Sequence, residues 1–270
     1  MTYNDRMTLL ARVGFAARGL VYLLIGWFAL DLALHGGRPV DNQGALGTLA
    51  QAPLGHVLLG ICAFGFAGYS VWRLTEAIFD PENRSRDLKG RFERAGYALS
   101  GIAHVLLAVA AARLGLRESS ATDRSPSDQS AQSWSAWILD QPGGVYVLVL
   151  VGLVLLLAAG AQALKAYKGR FDELGGDTPA PKYVHWIGRA GYAARALVFA
   201  IMGWFIITAA INHDAEQAGG LGEALKHLRS QDSGALILIA VACGLGLFGL
   251  FSIIEARYRH IHVKKPGFLN

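Results

Sequence analysis

The sequence predicts an all-α polytopic membrane protein, with six transmembrane helices forming three parallel two-helix repeats around a pseudo-threefold axis. Three observations predict it. Residues of the set AVILMFWYC make up 53% of the 270-residue chain and charged residues only 17%, whereas soluble domains usually carry about 25% charge. Six stretches reach the roughly 20 mostly apolar residues that a bilayer crossing needs. One motif, R-x-G-[FY]-A, opens every second stretch. The mean hydropathy of +0.35 excludes a disordered chain, and it excludes a small secreted domain held by disulfides.

The six stretches run from Val13 to Leu34, Gly55 to Ile78, Ala95 to Leu114, Gly143 to Leu164, Ile187 to Ile211 and Gly234 to Glu255. A signal peptide does not explain the first, which is too long and ends in Leu34-His35-Gly36-Gly37, a poor cleavage site. Placing the N-terminus, the 2–3 and 4–5 loops and the C-terminus on one side gathers 17 of the 25 basic residues there, among them Arg73, Arg94, Lys165, Arg189 and Arg257. The other side holds six, and the remaining two, Arg18 and Arg195, lie deeper within spans than the cations at span ends. The positive-inside rule then predicts a multi-pass protein of the bacterial cytoplasmic membrane with both termini in the cytoplasm. The net charge of +5 reports this bias and requires no nucleic-acid partner. The expected partner is the lipid bilayer.

Internal repetition organises the chain. Arg12-Val13-Gly14-Phe15-Ala16, Arg94-Ala95-Gly96-Tyr97-Ala98 and Arg189-Ala190-Gly191-Tyr192-Ala193 open spans 1, 3 and 5. Segments 14–30 and 191–207 share 9 of 17 positions, Gly26-Trp27-Phe28 and Gly203-Trp204-Phe205 among them. The even spans begin at Gln51-Ala52-Pro53-Leu54-Gly55, Gln141-Pro142-Gly143-Gly144 and Gln231-Asp232-Ser233-Gly234. They end at Glu76-Ala77, Lys165-Ala166 and Glu255-Ala256. The repeats are expected at 10–80, 92–169 and 187–258. An even number of spans per repeat returns the chain to its starting side, so the copies insert in the same orientation, unlike inverted-repeat transporters. Gly44–Gln51 and Gly220–Arg229 read as short amphipathic helices at the outer interface. The polar stretch Arg117–Ser133 of the second repeat reads as a loop.

This constellation resembles the bacterial membrane proteins built from three copies of the domain of unknown function 1206. The resemblance spans about residues 10–258 and implies an inner-membrane location. It supplies no activity and no catalytic residues. The second copy departs from the others, with Ser100 and Lys165 where they have Arg and Glu.

Charges within a span are costly and mark candidate sites. Arg18 and Arg195 occupy matching positions, each six residues beyond its interfacial Arg and so about 9 Å deeper along a helix. One helical face carries Gly14, Arg18, Tyr22 and Gly26, then Gly96, Ser100, His104 and Ala108, then Gly191, Arg195, Phe199 and Gly203. Glu76 and Glu255 lie in the same leaflet, and the repeat that lacks the Arg also lacks the Glu. The expectation is therefore that Arg18 and Arg195 pair with Glu76 and Glu255, within or between repeats. Solvation of the glutamates and snorkelling of the arginines is the competing reading, and an anionic ligand such as a phospholipid headgroup is a third. His104 reads as a packing or hydrogen-bonding residue, with proton relay and haem ligation as alternatives. Asp31 reads as an interface residue. Trp27, Trp72, Trp134, Trp137, Trp186 and Trp204 read as an interfacial belt or as bundle packing. Cys62 and Cys243 read as packing residues.

No phosphate-binding, zinc-peptidase or nucleophile-elbow motif is present in the sequence. No cofactor, metal or catalytic residue is expected. The favoured reading is a non-catalytic scaffold or lipid-interacting protein. The alternative is a small-solute or ion transporter with an axial site lined by Arg18, Tyr22, Ser100, His104 and Arg195.

Overall fold

The computed structural model describes residues 3–37, 39–79, 88–116, 126–169, 171 and 181–258, and the basic flanks Arg84, Arg86, Arg170 and Arg259 lie outside them. In chain order the helices are α1 (Tyr3–His35), α2 (Asn42–Ala50), α3 (Gly55–Phe79), α4 (Leu88–Leu116), α5 (Pro126–Leu139), α6 (Gly144–Lys168), α7 (Tyr183–Ile211), α8 (Leu221–Arg229) and α9 (Gly234–Tyr258). Helices α1, α3, α4, α6, α7 and α9 are long and apolar enough to cross a membrane. The shortest of them has 25 residues, about 37 Å at 1.5 Å per residue, against a hydrocarbon core of about 30 Å.

Each repeat is a long helix, a short helix and a second long helix. The turn that joins the last two is the same three times. Leu54, Gly143 and Ser233 each adopt a left-handed backbone, with φ of 61°, 79° and 60°. The glycine that follows each of them donates its N–H three residues back, Gly55 to Ala52 O, Gly144 to Gln141 O and Gly234 to Gln231 O, at 2.7–2.9 Å. A Cβ on Gly55, Gly144 or Gly234 would run into the last carbonyls of the preceding short helix. That is why a glycine begins every second span.

The expected loop in the second repeat is corrected in part. Residues 117–125 lie outside the described residues, but Pro126–Ser133 is the first half of helix α5. Its Ser, Gln and Asp content hides a helix that Pro126 begins, since Pro suits a first helical position. Counting back from the shared turn, Ala45, Leu46 and Leu49 of α2 correspond to Trp134, Ser135 and Ile138 of α5 and to Ala224, Leu225 and Leu228 of α8. The apolar faces of α2 and α8 are buried against the bundle, so these helices close the end of it opposite the chain termini instead of lying on lipid. They meet α5 there. Asp128 of α5 accepts the N–H of Gly220 at 2.8 Å and that of Glu223, and so caps α8 from another repeat. Helix α2 has its own cap, Asp41, which accepts from Gly44 N at 2.6 Å.

The main packing runs between repeats. The second span of each repeat lies on the first span of the next: α3 on α4, α6 on α7, and α9 back on α1. Small residues let these backbones approach. A Cβ on Gly26 would stand 2.9 Å from Ala242 O, and one on Gly203 would stand 3.0 Å from Gly152 O. These positions match across the repeats, as the pseudo-threefold arrangement requires.

Packing within repeats is uneven. Helix α1 packs on α3 and α7 on α9, but α4 and α6 form no such interface. Gly14 and Gly191 abut Tyr69 and Phe248, whereas their counterpart Gly96 has nothing near it. Leu99 is 54% exposed where its counterparts Ala17 and Ala194 are 5% and 8% exposed. Val151 is 41% exposed where Cys62 and Val241 are 2% and 5% exposed. The ring of six spans is therefore open on one side, within the second repeat.

Of the tryptophans, Trp27, Trp134, Trp137, Trp186 and Trp204 are exposed, as a lipid-facing or interfacial ring should be, while Trp72 is buried beside Phe15 at 5.5 Å. Asp31 pairs with His35 at 3.0 Å at the C-terminal end of α1. Cys62 is buried and Cys243 exposed, and both are free thiols.

Candidate functional site

Counting each even span from its opening glycine aligns Tyr69 with Ala158 and Phe248, Arg73 with Gln162 and Ser252, and Glu76 with Lys165 and Glu255. On the odd spans, Arg18 aligns with Ser100 and Arg195, and Tyr22 with His104 and Phe199. The three between-repeat junctions thus present three versions of one polar site, in the half of the bundle that holds the chain termini.

At the α9–α1 junction Arg18 is buried and fully engaged. Its Nη2 meets Glu255 Oε2 at 2.5 Å, Nη1 donates to the Tyr69 hydroxyl at 2.9 Å, and Nε donates to Ser252 Oγ at 3.1 Å. Ser252 in turn donates to Phe248 O at 3.0 Å. The guanidinium lies about 5 Å from the rings of Phe15, Tyr69 and Phe248. A charge removed from water needs a counter-charge and hydrogen bonds on its remaining donors, and Arg18 has both.

At the α3–α4 junction the cation has changed helix. Ser100 stands where Arg18 does in the first repeat, and Arg73 stands where Ser252 does in the third. Arg73 Nη1 meets Glu76 Oε2 at 2.7 Å, and its Nε donates to the same Tyr69 hydroxyl at 3.0 Å. The Tyr69 oxygen therefore joins two ion pairs, Glu255–Arg18 and Arg73–Glu76. The His104 ring lies tilted against Tyr69 with centroids 4.4 Å apart, and its Nδ1 is 2.7 Å from Ser100 O.

At the α6–α7 junction neither helix supplies an acid at these positions. Lys165 replaces the glutamate and turns to the Tyr192 hydroxyl at 2.6 Å. Arg195 is held by ring faces, 4.3 Å from Phe248, 5.3 Å from Tyr22 and 5.2 Å from Phe199. Its Nε is buried with no hydrogen-bond partner among the described residues.

The structure thus brings Arg18 and Glu255 together, gives Glu76 to Arg73, and shows no carboxylate on Arg195 among the described residues. Tyr22 packs edge-on against Phe248 at 4.7 Å. Arg73 escaped the sequence reading because a cation near a span end counts as a topological flank; its alignment with Ser252 was the available signal. Among the described residues no group of three or more His, Cys, Asp or Glu could hold a metal ion.

Three tandem hairpins, six membrane-length helices and a polar site repeated at each junction define a multi-pass helical membrane protein of triplicated design. The family described as Domain of Unknown Function (DUF1206) matches residues 13–80, 95–169 and 190–259, and the chain belongs to that family. It is similar to the uncharacterized protein YxxB of Bacillus subtilis (strain 168), with 33% identity over 258 residues that cover 94% of this chain and 92% of that protein. No solved structure matches the chain.

Proposed function

We propose that this protein is a non-catalytic, lipid-interacting scaffold of the bacterial cytoplasmic membrane, with both termini in the cytoplasm. The observation that carries the reading is the string Glu255–Arg18–Tyr69–Arg73–Glu76, in which the protein's own groups satisfy one another inside the spans. A solute path needs polar groups held ready for a passing ligand; in this string they are engaged with one another and in joining the third repeat to the first. The buried apolar faces of α2 and α8 at the outer end support the same reading. The orientation rests on the distribution of basic residues.

The test is reconstitution. Proteoliposomes containing the purified protein are expected to leak small anions, cations and protons no faster than empty vesicles. Saturable flux that Arg18→Leu or His104→Leu abolishes would replace the scaffold by a transporter. Reporter fusions at the C-terminus are expected to be active only in the cytoplasm, and activity on the outer side would reverse the orientation.

A further inference from the structure

We infer that the α6–α7 junction binds the acidic headgroup of a membrane lipid, phosphate or carboxylate, whose acyl chain lies in the opening between α4 and α6. The ligand class rests on the lipid-interacting reading above; the site rests on geometry of its own.

Pseudosymmetry supplies the first argument. Two of the three equivalent junctions hold one guanidinium and one carboxylate. The third holds two cations, Arg195 and Lys165, with Gln162 between their levels. No carboxylate stands at the positions that supply one elsewhere. Lys165 hydrogen-bonds Tyr192, one turn before Arg195 on the same helix, so both cations meet the same stretch of α7, Arg195 from its side toward Phe248 of α9 and Tyr22 of α1. Arg195 lies 4.3 Å from the ring of Phe248 and just over 5 Å from those of Tyr22 and Phe199, contacts that leave its N–H groups to a ligand. Its buried Nε has no hydrogen-bond partner among the described residues. The missing element is an anion with two or more acceptor oxygens, which an Arg and a Lys together recognise.

Access supplies the second. The open side of the ring lies beside this junction and is lined by Leu99 and Leu106 of α4 and Val151 and Val154 of α6, all exposed. It is apolar along its length and ends in Gln162 and Lys165 at the side predicted to be cytoplasmic. A lipid of that leaflet has the same polarity, head at the basic end and chain toward mid-membrane. An inorganic anion would use the cations and leave the apolar opening without a role.

The full-length protein in mild detergent, exposed to phosphatidylglycerol or phosphatidylcholine, provides the test, with bound lipid counted by native mass spectrometry. Wild type is expected to retain one phosphatidylglycerol per chain about tenfold more tightly than phosphatidylcholine. Arg195→Gln with Lys165→Gln should remove the preference. Lys165→Glu is the sharper variant. It supplies the absent carboxylate, copies the other junctions, and should abolish retention while thermal stability holds or rises, so that loss of binding is not loss of fold. Leu99→Trp, which narrows the opening, should weaken lipid but leave any binding of inorganic phosphate unchanged. Equal retention of both lipids, retention undiminished in Lys165→Glu, or displacement of the lipid by millimolar phosphate would overturn the inference. None of these outcomes bears on vesicle flux, so the site and the scaffold reading fail separately.

Discussion

Arg73 and Ser252 hold the same position in the repeat, and each stands beside a glutamate three residues further on. In one junction the cation comes from the neighbouring helix as Arg18; in the other it sits on the glutamate's own helix. The pairing is kept while the residue that supplies it moves, so the physical requirement at these two junctions is one positive charge beside the buried glutamate, wherever its Cα lies.

Breaking the closing pair is expected to cost more than removing it. Arg18→Met or Glu255→Met alone leaves a buried charge uncompensated and should destabilise by about 3–5 kcal/mol. The double substitution should cost clearly less than the sum of the two. Unfolding titrations of the purified protein in mixed micelles measure all three, and additive losses would show that the two residues do not interact.

The shifted cation makes an exchange possible. Arg73→Ser alone should cost about 3–5 kcal/mol by stranding Glu76. Adding Ser100→Arg rebuilds the α9–α1 arrangement at the α3–α4 junction and should recover most of that loss. The same titration reads it, and no recovery would mean that the two junctions are not equivalent.

The left-handed turn offers a stabilising change. Leu54 and Ser233 pay the cost of a positive φ that Gly143 avoids. Leu54→Gly is expected to raise stability by up to about 1 kcal/mol, and Gly143→Leu to lower it by about 1–2 kcal/mol. A shift of thermal midpoint in the same direction for both variants would contradict this account.

The cap on α8 should respond to pH through Asp128. Burial pushes its carboxyl above the ordinary value of 3.8, although the N–H groups of Gly220 and Glu223 pull the other way. An acid whose folded value is raised contributes stability that is full below its unfolded value and is lost as pH rises through the folded one. Hydrogen exchange in the first turn of α8, corrected for intrinsic rates, should therefore show protection falling as pH climbs from below 4 through the raised value. Asp128→Asn should flatten that dependence, and Asp128→Ala should cost about 1–2 kcal/mol as a lost cap.

Repetition carried the spans, their grouping and the matched charges into plain view. The R-x-G-[FY]-A openings mark the odd helices, and the paired absence of Arg and Glu in the second copy pointed to ion pairing. Helix α5 was hidden because local composition, rich in Ser and Gln, outweighed its register with α2 and α8. The open side was not legible for a deeper reason. Leu99 suits a lipid-facing position as well as a buried one, since acyl chains and protein interiors are similarly apolar. Which apolar face finds a helix and which finds lipid is decided by fit between whole helices.

The pair Arg18–Glu255 is 237 residues apart in sequence. At ribosomal speeds of about 5–20 residues per second, the first helix waits roughly 10–50 s for its counter-ion to be made. Through that interval the nascent chain carries a guanidinium without its counter-ion at the membrane, so assembly is completed only when the last helix arrives, and truncation before Glu255 removes the clasp between the last repeat and the first.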